Sequence, residues 1–171
     1  MDIDRFKTCC FSGHRPEKAD MQEQDIKYRL RIEIDKAIKD GYTTFISGMA
    51  RGVDIWAAEL VLEKKRISKD IKLICAQPYE FFSKDQGWQW NVKYSKIYAM
   101  ADEVITVSYK SNKGCYMLRN KWMVDHSSRL IAVFNGEPSG TKNTIDYAQK
   151  KKIQIIVLEV KANESTLSEM R

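Results

Sequence analysis

Six short apolar runs, separated by longer amphipathic segments, constrain the fold of this chain more than any other feature. They are TCCFS (8 to 12), TTFIS (43 to 47), IKLICA (71 to 76), EVITVS (103 to 108), RLIAVF (129 to 134) and IQIIVLE (153 to 159). Each has the length of a strand, is rich in β-branched residues and shows little strict alternation, which is typical of strands buried on both faces. With helical patterns between them, the runs predict an α/β fold with a mainly parallel, doubly wound sheet.

The helical segments carry their own signals. Between the second and third runs, apolar residues recur at i, i+3, i+4, i+7 and i+8, which predicts one buried helix face. These residues are Val53, Trp56, Ala57, Leu60 and Val61. In the preceding helix, Asp20 and Glu23 have the spacing of a capping box, and Gly41 stands where a left-handed residue commonly ends a helix.

Length and composition bound the class of protein. With 171 residues, 43% of them hydrophobic, the chain can bury one core, and we predict one domain over 1–160 and a polar, frayed tail over 161–171. No apolar run is long enough to cross a membrane and no leader pattern is present, so a cytoplasmic protein with no membrane partner is expected. The cysteines and histidines lack metal-site spacing, so we expect reduced thiols and no metal.

Four of the six runs are followed by unusual loops. They are SGHRPEK after the first run, SGMARGVD after the second, YKSNKGCYMLRN after the fourth and NGEPSGTKNT after the fifth. In an open parallel sheet, ligands bind at the carboxyl ends of the strands. Because each loop couples glycine with hydroxyl, amide or cationic residues, the sequence predicts a site for an anionic or hydroxylated small molecule.

The second loop, SGMARGVD, predicts close approach of a ligand to the backbone. Gly48 and Gly52 can adopt positive φ, and the helix that begins near Val53 would point its free N–H groups into the same space. Asp54 has two readings that the sequence leaves open: it caps the helix, or it accepts hydrogen bonds from ribose hydroxyls. The loop lacks the G-x-G-x-x-G fingerprint, so classical NAD binding is not predicted.

The first loop, SGHRP, adds a cation. Gly13 offers backbone access, and Arg15 can hold a phosphate through its planar guanidinium, while Pro16 favours an extended backbone at Arg15. His14 either donates to a ligand oxygen, acts as an acid or base, or simply faces solvent.

The motifs CCFSGHRPEK, FISGMARGVDIWAAE, AQPYE with WQWN, ADEVITVS, CYMLRNKWMVDHS and IAVFNGEPSGTKNTIDYA together resemble the SLOG superfamily, in particular its YoqJ/YpsA-like branch. The resemblance implies a single Rossmann-like domain whose glycine-bearing loops gather around a nucleotide or nucleotide-derived ligand. The superfamily includes the Lonely Guy phosphoribohydrolases and the DNA-processing protein A family, which binds single-stranded DNA.

These relatives supply rival functions, and the fifth loop bears on them. Phosphoribohydrolases of the Lonely Guy type carry P-G-G-x-G-T-x-x-E, whose glutamate assists N-glycosidic cleavage. PSGT (138 to 141) partly resembles this signature, but Thr144 stands in place of the glutamate, and Asp146 lies about 200° around a helix from it. The resemblance therefore implies a sensor or carrier without an assigned catalytic residue. A nucleotide N-glycosidic hydrolase with a displaced carboxylate is the alternative.

A single-stranded DNA-binding module is the third reading, and it would need exposed aromatic residues. Trp90, Tyr94, Ile97 and Ala101 fall on one helical face and are expected in the core, which leaves Trp88 as the exposed exception. The stretch SGTKNTIDYA resembles the DNA-processing protein A family only in the phosphate loop of the fold.

The resulting interpretation is a protein that binds a small nucleotide-like ligand, with homo-oligomerisation left open. Arg119 and Asn120 are expected to reach the ligand, whereas Asp125 either pairs with a cation or orients ribose, and Glu59 either binds or forms a salt bridge. The predicted binding residues are Gly13, His14, Arg15, Ser47, Gly48, Arg51, Gly52, Asp54, Glu59, Arg119, Asn120, Asp125, Gly136, Gly140, Thr141 and Thr144.

Overall fold

The computed structural model describes residues 2–15 and 23–161. The predicted capping residue Asp20 and the predicted tail beyond Lys161 lie outside this range. The strands are β1 (Thr8–Gly13), β2 (Thr44–Ser47), β3 (Lys72–Tyr79), β4 (Glu103–Ser108), β5 (Arg129–Phe134) and β6 (Gln154–Glu159). The α-helices are α1 (Glu23–Lys39), α2 (Val53–Ile67), α3 (Trp88–Met100), α4 (Cys115–Asp125) and α5 (Gly140–Lys150). Short 3₁₀ helices cover Arg5–Lys7 and Phe82–Gln86.

The six strands form one sheet in the order β4-β3-β2-β1-β5-β6, and every neighbouring pair is parallel. At the centre, Cys10 of β1 lies opposite Ile46 of β2 and Leu130 of β5. The strand order reverses between β1 and β5, because the chain first builds the sheet outward to β4 and then returns to the other side of β1. The predicted α/β, parallel Rossmann-like architecture is confirmed, and this reversal is its topological switch point.

Both faces of the four central strands are buried, as the apolar runs predicted, whereas the edge strands β4 and β6 keep exposed residues, among them Val104 and Val157. Successive residues of a strand point to opposite faces. Phe11, Phe45 and Leu73 therefore pack in the core beneath α1, α2 and α3, and Cys10 and Ile46 pack in the core beneath α4 and α5.

The four cysteines are free and buried, which confirms the expectation of reduced thiols. Burial raises the pKa of Cys10 and that of Cys75 to about 12. These thiols therefore stay protonated at neutral pH and behave as small apolar side chains.

The helix signals also correspond to the structure. Gly41 has φ of 98° and ends α1 in a Schellman arrangement, with Tyr42 N donating to Ala37 O at 3.0 Å. In α3, Tyr94 is completely buried whereas the side chain of Trp88 is 77% exposed, as predicted. Among the described helices, none is both long and apolar enough to cross a membrane.

Gly13, at the carboxyl end of β1, allows α2 to approach the sheet. A Cβ atom at this position would lie 2.5 Å from the Cβ of Val53, the first residue of α2. Val53 therefore packs directly against Gly13, where any larger residue would have no room for its side chain. The start of α2 is fixed against β1 by this contact.

We expect Gly13→Ala to destabilise the protein, because the new methyl group must displace Val53. Overpacking of this kind costs about 1 to 3 kcal/mol, which lowers the unfolding midpoint of a chain of this size by about 3 to 10 °C. Gly140→Ala is the matched control, since nothing lies within 4 Å of a Cβ built there. Equal midpoints for the two variants, measured by calorimetry, would contradict this account of Gly13.

Candidate functional site

A cavity of about 370 Å³ opens at the switch point of the sheet. Its walls come from the four loops that the sequence singled out, which follow β1, β2, β4 and β5. They contribute residues 12–15, then Ala50 and Asp54, then Tyr116, Arg119 and Asn120 on α4, and residues 139–141 at the start of α5. The parallel sheet brings these loops together because all its strands end at the same edge.

The turn after β2, residues 48–52, is held by two side chains from distant elements. The Arg119 guanidinium donates to the carbonyl oxygen of Gly48, and the Tyr94 hydroxyl donates to that of Met49. A Cβ at Gly48 would lie 2.9 Å from Arg119 Nε. Glycine is needed here because the arginine passes directly over the backbone.

The backbone of this turn has positive φ at two residues. The sequence allows positive φ at Gly48 and Gly52, and the structure has it at Gly52 (89°) and at Met49 (61°). Met49 is also the residue whose carbonyl oxygen is held by Tyr94. Contacts with Tyr94 of α3 and Arg119 of α4 thus set the shape of the turn. These residues are far from the turn in the sequence, so local sequence patterns do not predict the contacts.

Asp54 is the most constrained polar group of the cavity, with only 4% of its surface exposed. Its Oδ2 accepts a hydrogen bond from Ala50 N at 3.2 Å, whereas Oδ1 is buried and has no hydrogen-bond partner among the described residues. One oxygen therefore holds the loop before the helix, and Asp54 does not cap α2, whose N-cap residue is Gly52. The other is a buried acceptor for which the described residues supply no donor.

Burial raises the pKa of Asp54 from 3.8 to about 6, and the positive charge of Arg119 and the Ala50 amide both act against that rise. The sign follows from linkage. Because the folded state holds the proton more tightly than the unfolded state, Asp54 lowers the free energy of unfolding as the pH rises from about 4 to 6. At neutral pH the carboxylate is mostly ionised.

Arg119 was expected to be available to a ligand, but it is buried, with 4% of its surface exposed. Burial lowers the pKa of its guanidinium, and the charge of Asp54 opposes that change. Arg119 Nε donates to Asn120 Oδ1 at 2.9 Å, so the arginine also orients its neighbour. Arg119 lines the cavity as a fixed charge.

Positive charge converges near the buried hydroxyl of Tyr94. Burial and the charge of Asp54 raise the pKa of Tyr94, and the charges of Arg119, Arg51 and Arg15 all oppose the rise. Arg15 is exposed and lines the cavity, whereas Arg51 lies outside its lining. Three guanidinium groups from three loops therefore contribute to the potential of this region.

The start of α5 forms another wall of the cavity. Ser139 is its N-cap residue and accepts a hydrogen bond from Lys142 N at 3.2 Å. Gly140 and Thr141 begin the helix, where the first N–H groups have no partner within the helix and carry its positive dipole end. This end of the cavity suits an anionic group.

His14 is buried, with 3% of its surface exposed, and does not face bulk solvent. Its Nε2 accepts a hydrogen bond from Asn135 N at 3.0 Å, and its ring stacks on Phe134 at 5.7 Å between centroids. Because Nε2 acts as an acceptor, the neutral ring carries its proton on Nδ1. His14 thus joins the loops after β1 and β5 at the floor of the cavity.

The other predicted residues do not line the cavity: Ser47, Gly48, Arg51, Gly52, Glu59, Asp125, Gly136 and Thr144. Glu59 lies 3.7 Å from Lys93 Nζ and lines a separate cavity of about 420 Å³ between α2 and α3. Asp125 accepts from the Tyr147 hydroxyl at 3.0 Å and contacts Lys151 Nζ at 3.1 Å. Both acids therefore contact a lysine, as the salt-bridge interpretation of each expected.

Sequence reasoning missed several lining residues: Ser12, Ala50, Tyr116 and Ser139. Tyr116 precedes Arg119 and Asn120 by three and four positions, so helical spacing alone places all three on one face of α4. That signal was available. In the described part of the chain, no cluster of His, Cys, Asp and Glu is arranged to hold a metal ion.

We expect the Asp54 carboxyl to titrate near pH 6 when followed by ¹³C NMR. Arg119→Gln should raise that midpoint, because the positive charge that favours the carboxylate is lost. Arg129→Gln is the matched control. Arg129, the first residue of β5, is also a buried arginine, but it pairs with Asp40 and lies outside the cavity lining. A midpoint that is unchanged in Arg119→Gln would disprove the coupling.

Three comparisons place the chain among known proteins. UPF0398 proteins from Bacillus thuringiensis (strain Al Hakam) and Bacillus cereus (strain AH187) are each 29% identical to it over 161 residues, covering 88% of this chain and 86% of the relative. Among solved structures, DNA processing protein A from Helicobacter pylori aligns with a TM-score of 0.63 at 21% identity, over 95% of this chain and 72% of that one.

DNA processing protein A from Streptococcus pneumoniae aligns with the same TM-score of 0.63 at 16% identity, and the chain spans half of its length. At such identities the likeness concerns the fold. A family model described as the YspA SLOG family, YpsA, matches residues 9–162, which include every loop of the cavity and all of the strands except the first residue of β1. The chain therefore belongs to the YspA SLOG family.

Proposed function

We propose that the protein binds a nucleotide or a nucleotide-derived phosphorylated ligand in the switch-point cavity and acts as a sensor or regulatory domain. One observation carries the proposal. The same cavity joins an anion-binding helix start to a buried carboxylate whose Oδ1 atom has no partner among the described residues. A phosphorylated compound with sugar hydroxyls matches both features.

The phosphate is assigned to the start of α5. The amides of Gly140 and Thr141 belong to its first turn, and Arg15 lines the cavity beside them. Helix N-termini and guanidinium groups both bind phosphate, the first through aligned N–H groups and the second through a planar pair of donors. Arg15 is exposed, so it can adjust to the ligand.

The sugar is assigned to Asp54 and Asn120. A buried acceptor that lacks a donor carries a desolvation cost, which a ligand hydroxyl would remove on binding. Asp54 Oδ1 is such an acceptor. An ionised carboxylate repels phosphate, so the phosphate should stay at the α5 end and the hydroxyls should turn towards Asp54.

The hydrolytic alternative lacks its carboxylate in the expected place. Thr144 occupies that position and donates its hydroxyl to Gly140 O at 2.9 Å, within its own helix. Asp146 pairs with Lys142 instead. These contacts favour binding over cleavage of the N-glycosidic bond.

Thermal unfolding against AMP, GMP, NAD and ADP-ribose tests the proposal. A ligand that binds only the folded state raises the midpoint by mass action. We expect a rise for at least one of these compounds, its loss in Arg15→Ala, and its retention in the control Arg66→Ala, whose side chain is exposed outside this cavity.

The absence of any rise at millimolar concentration would overturn the proposal. Chromatography of the same mixtures for released base addresses the hydrolytic alternative. Release that depends on the native protein would replace binding by catalysis as the function.

Single-stranded DNA binding is a second candidate, favoured by the fold shared with DNA processing protein A, whose Helicobacter pylori structure is described by its single-stranded DNA binding mode. Exposed aromatic rings lie near the carboxyl ends of β3 and β4. Phe81 is 58% exposed with Lys84 Nζ 4.5 Å from its ring centroid, and Tyr109 is 96% exposed. Trp88 follows Phe81 at the start of α3.

If this candidate is correct, oligo(dT) should bind with an affinity that falls steeply with salt, and Trp88→Ala should weaken binding about tenfold through lost stacking. Tyr28→Ala is the control, because Tyr28 is 65% exposed on α1. Fluorescence anisotropy of labelled oligo(dT) measures both effects. An equal loss in the two variants would count against stacking on Trp88.

A further inference from the structure

Tyr116 forms an aromatic wall of the cavity that the proposed function does not yet use. It lies in the first turn of α4 and is half-buried. Its ring packs edge-to-face against Tyr79 at 6.3 Å and against Phe82 at 6.2 Å between centroids. Tyr79 is itself anchored, because its hydroxyl donates to Asp85 Oδ2 at 2.9 Å. The position of the Tyr116 ring is therefore fixed by the core.

The aromatic wall and the anion-binding end lie on opposite sides of the cavity. Tyr116 contacts the last residue of β3, whereas residues 139–141 follow β5. Since β2 and β1 lie between those two strands, the strands that carry the two ends are three spacings apart, roughly 14 Å. Asp54, which follows β2, falls between them. The order across the cavity is anion site, hydroxyl acceptor, aromatic ring.

The same order describes a nucleoside monophosphate: phosphate, ribose, base. The volume of about 370 Å³ lies near the lower end of the range for small-molecule sites, which favours one nucleotide over a dinucleotide. Arg119 Cζ lies 5.8 Å from the centroid of the Tyr116 ring, so the wall combines an aromatic surface with a planar cation. Both groups pack favourably against a base.

We infer that Tyr116 packs against the base of a bound nucleoside monophosphate and thereby selects nucleotides over sugar phosphates. This inference rests on the proposed function and adds a contact for the base, which the phosphate and sugar contacts do not recognise. The contact depends on the aromatic ring and not on the hydroxyl of Tyr116. Purine nucleotides, which present the larger face, should bind more tightly than pyrimidine nucleotides.

Calorimetric titration with AMP and ribose 5-phosphate separates the base from the rest of the ligand. In the native protein, AMP should bind more tightly. In Tyr116→Leu, the affinity for AMP should fall about tenfold, in keeping with the loss of one stacked base, while that for ribose 5-phosphate stays within about twofold. Tyr116→Phe should keep both affinities. Tyr28→Leu removes an exposed tyrosine of α1 outside the cavity lining and should leave them unchanged.

The outcomes distinguish the two proposals. Equal affinities of AMP and ribose 5-phosphate for the native protein would leave the proposed function intact and overturn the role of Tyr116. Binding of neither compound would overturn both. Should Tyr116→Leu not fold, ¹H NMR of AMP with native protein decides: stacking moves the adenine H2 and H8 signals upfield, and their failure to move on binding would overturn the inference.

Discussion

Burial of the four central parallel strands on both faces determines where this protein can have a site. A parallel strand pair needs a crossover, and the crossovers here cover one face with α1, α2 and α3 and the other with α4 and α5. All carboxyl ends consequently lie at one edge. Between β1 and β5 the crossovers diverge, and the space that they leave open is the cavity.

Within that cavity, Asp54 and Arg119 depend on each other. Each is almost fully buried, and the charge of each favours the ionised form of the other. Loss of either charge would therefore disfavour the ionised form of the other. The same two side chains also hold the turn after β2. The same contacts between α2, α4 and the turn therefore determine both the shape of the cavity and its electrostatic potential.

The family model establishes the family of this chain, whereas the structural likeness concerns only its fold. The YspA SLOG family match covers almost the whole chain, whereas the two structures of DNA processing protein A share its fold at 21% and 16% identity. The chemistry available to this chain is decided by its own cavity residues. At the position of the phosphoribohydrolase glutamate, Thr144 uses its hydroxyl within α5, and the buried acid of the cavity comes from α2 instead.

The sequence by itself determined the strands, the burial of the four central ones and the four loops of the cavity, because apolar periodicity and glycine punctuation are properties of short segments. It also placed Arg15, Gly140 and Thr141 correctly beside the cavity. Only the tertiary structure decided that Glu59 and Asp125 lie away from it, that Arg119 is buried, and that Tyr116 forms a wall. Those outcomes depend on how the helices pack on the sheet. The contacts concerned join residues that are far apart in the chain, and sequence patterns, which are local, do not predict them.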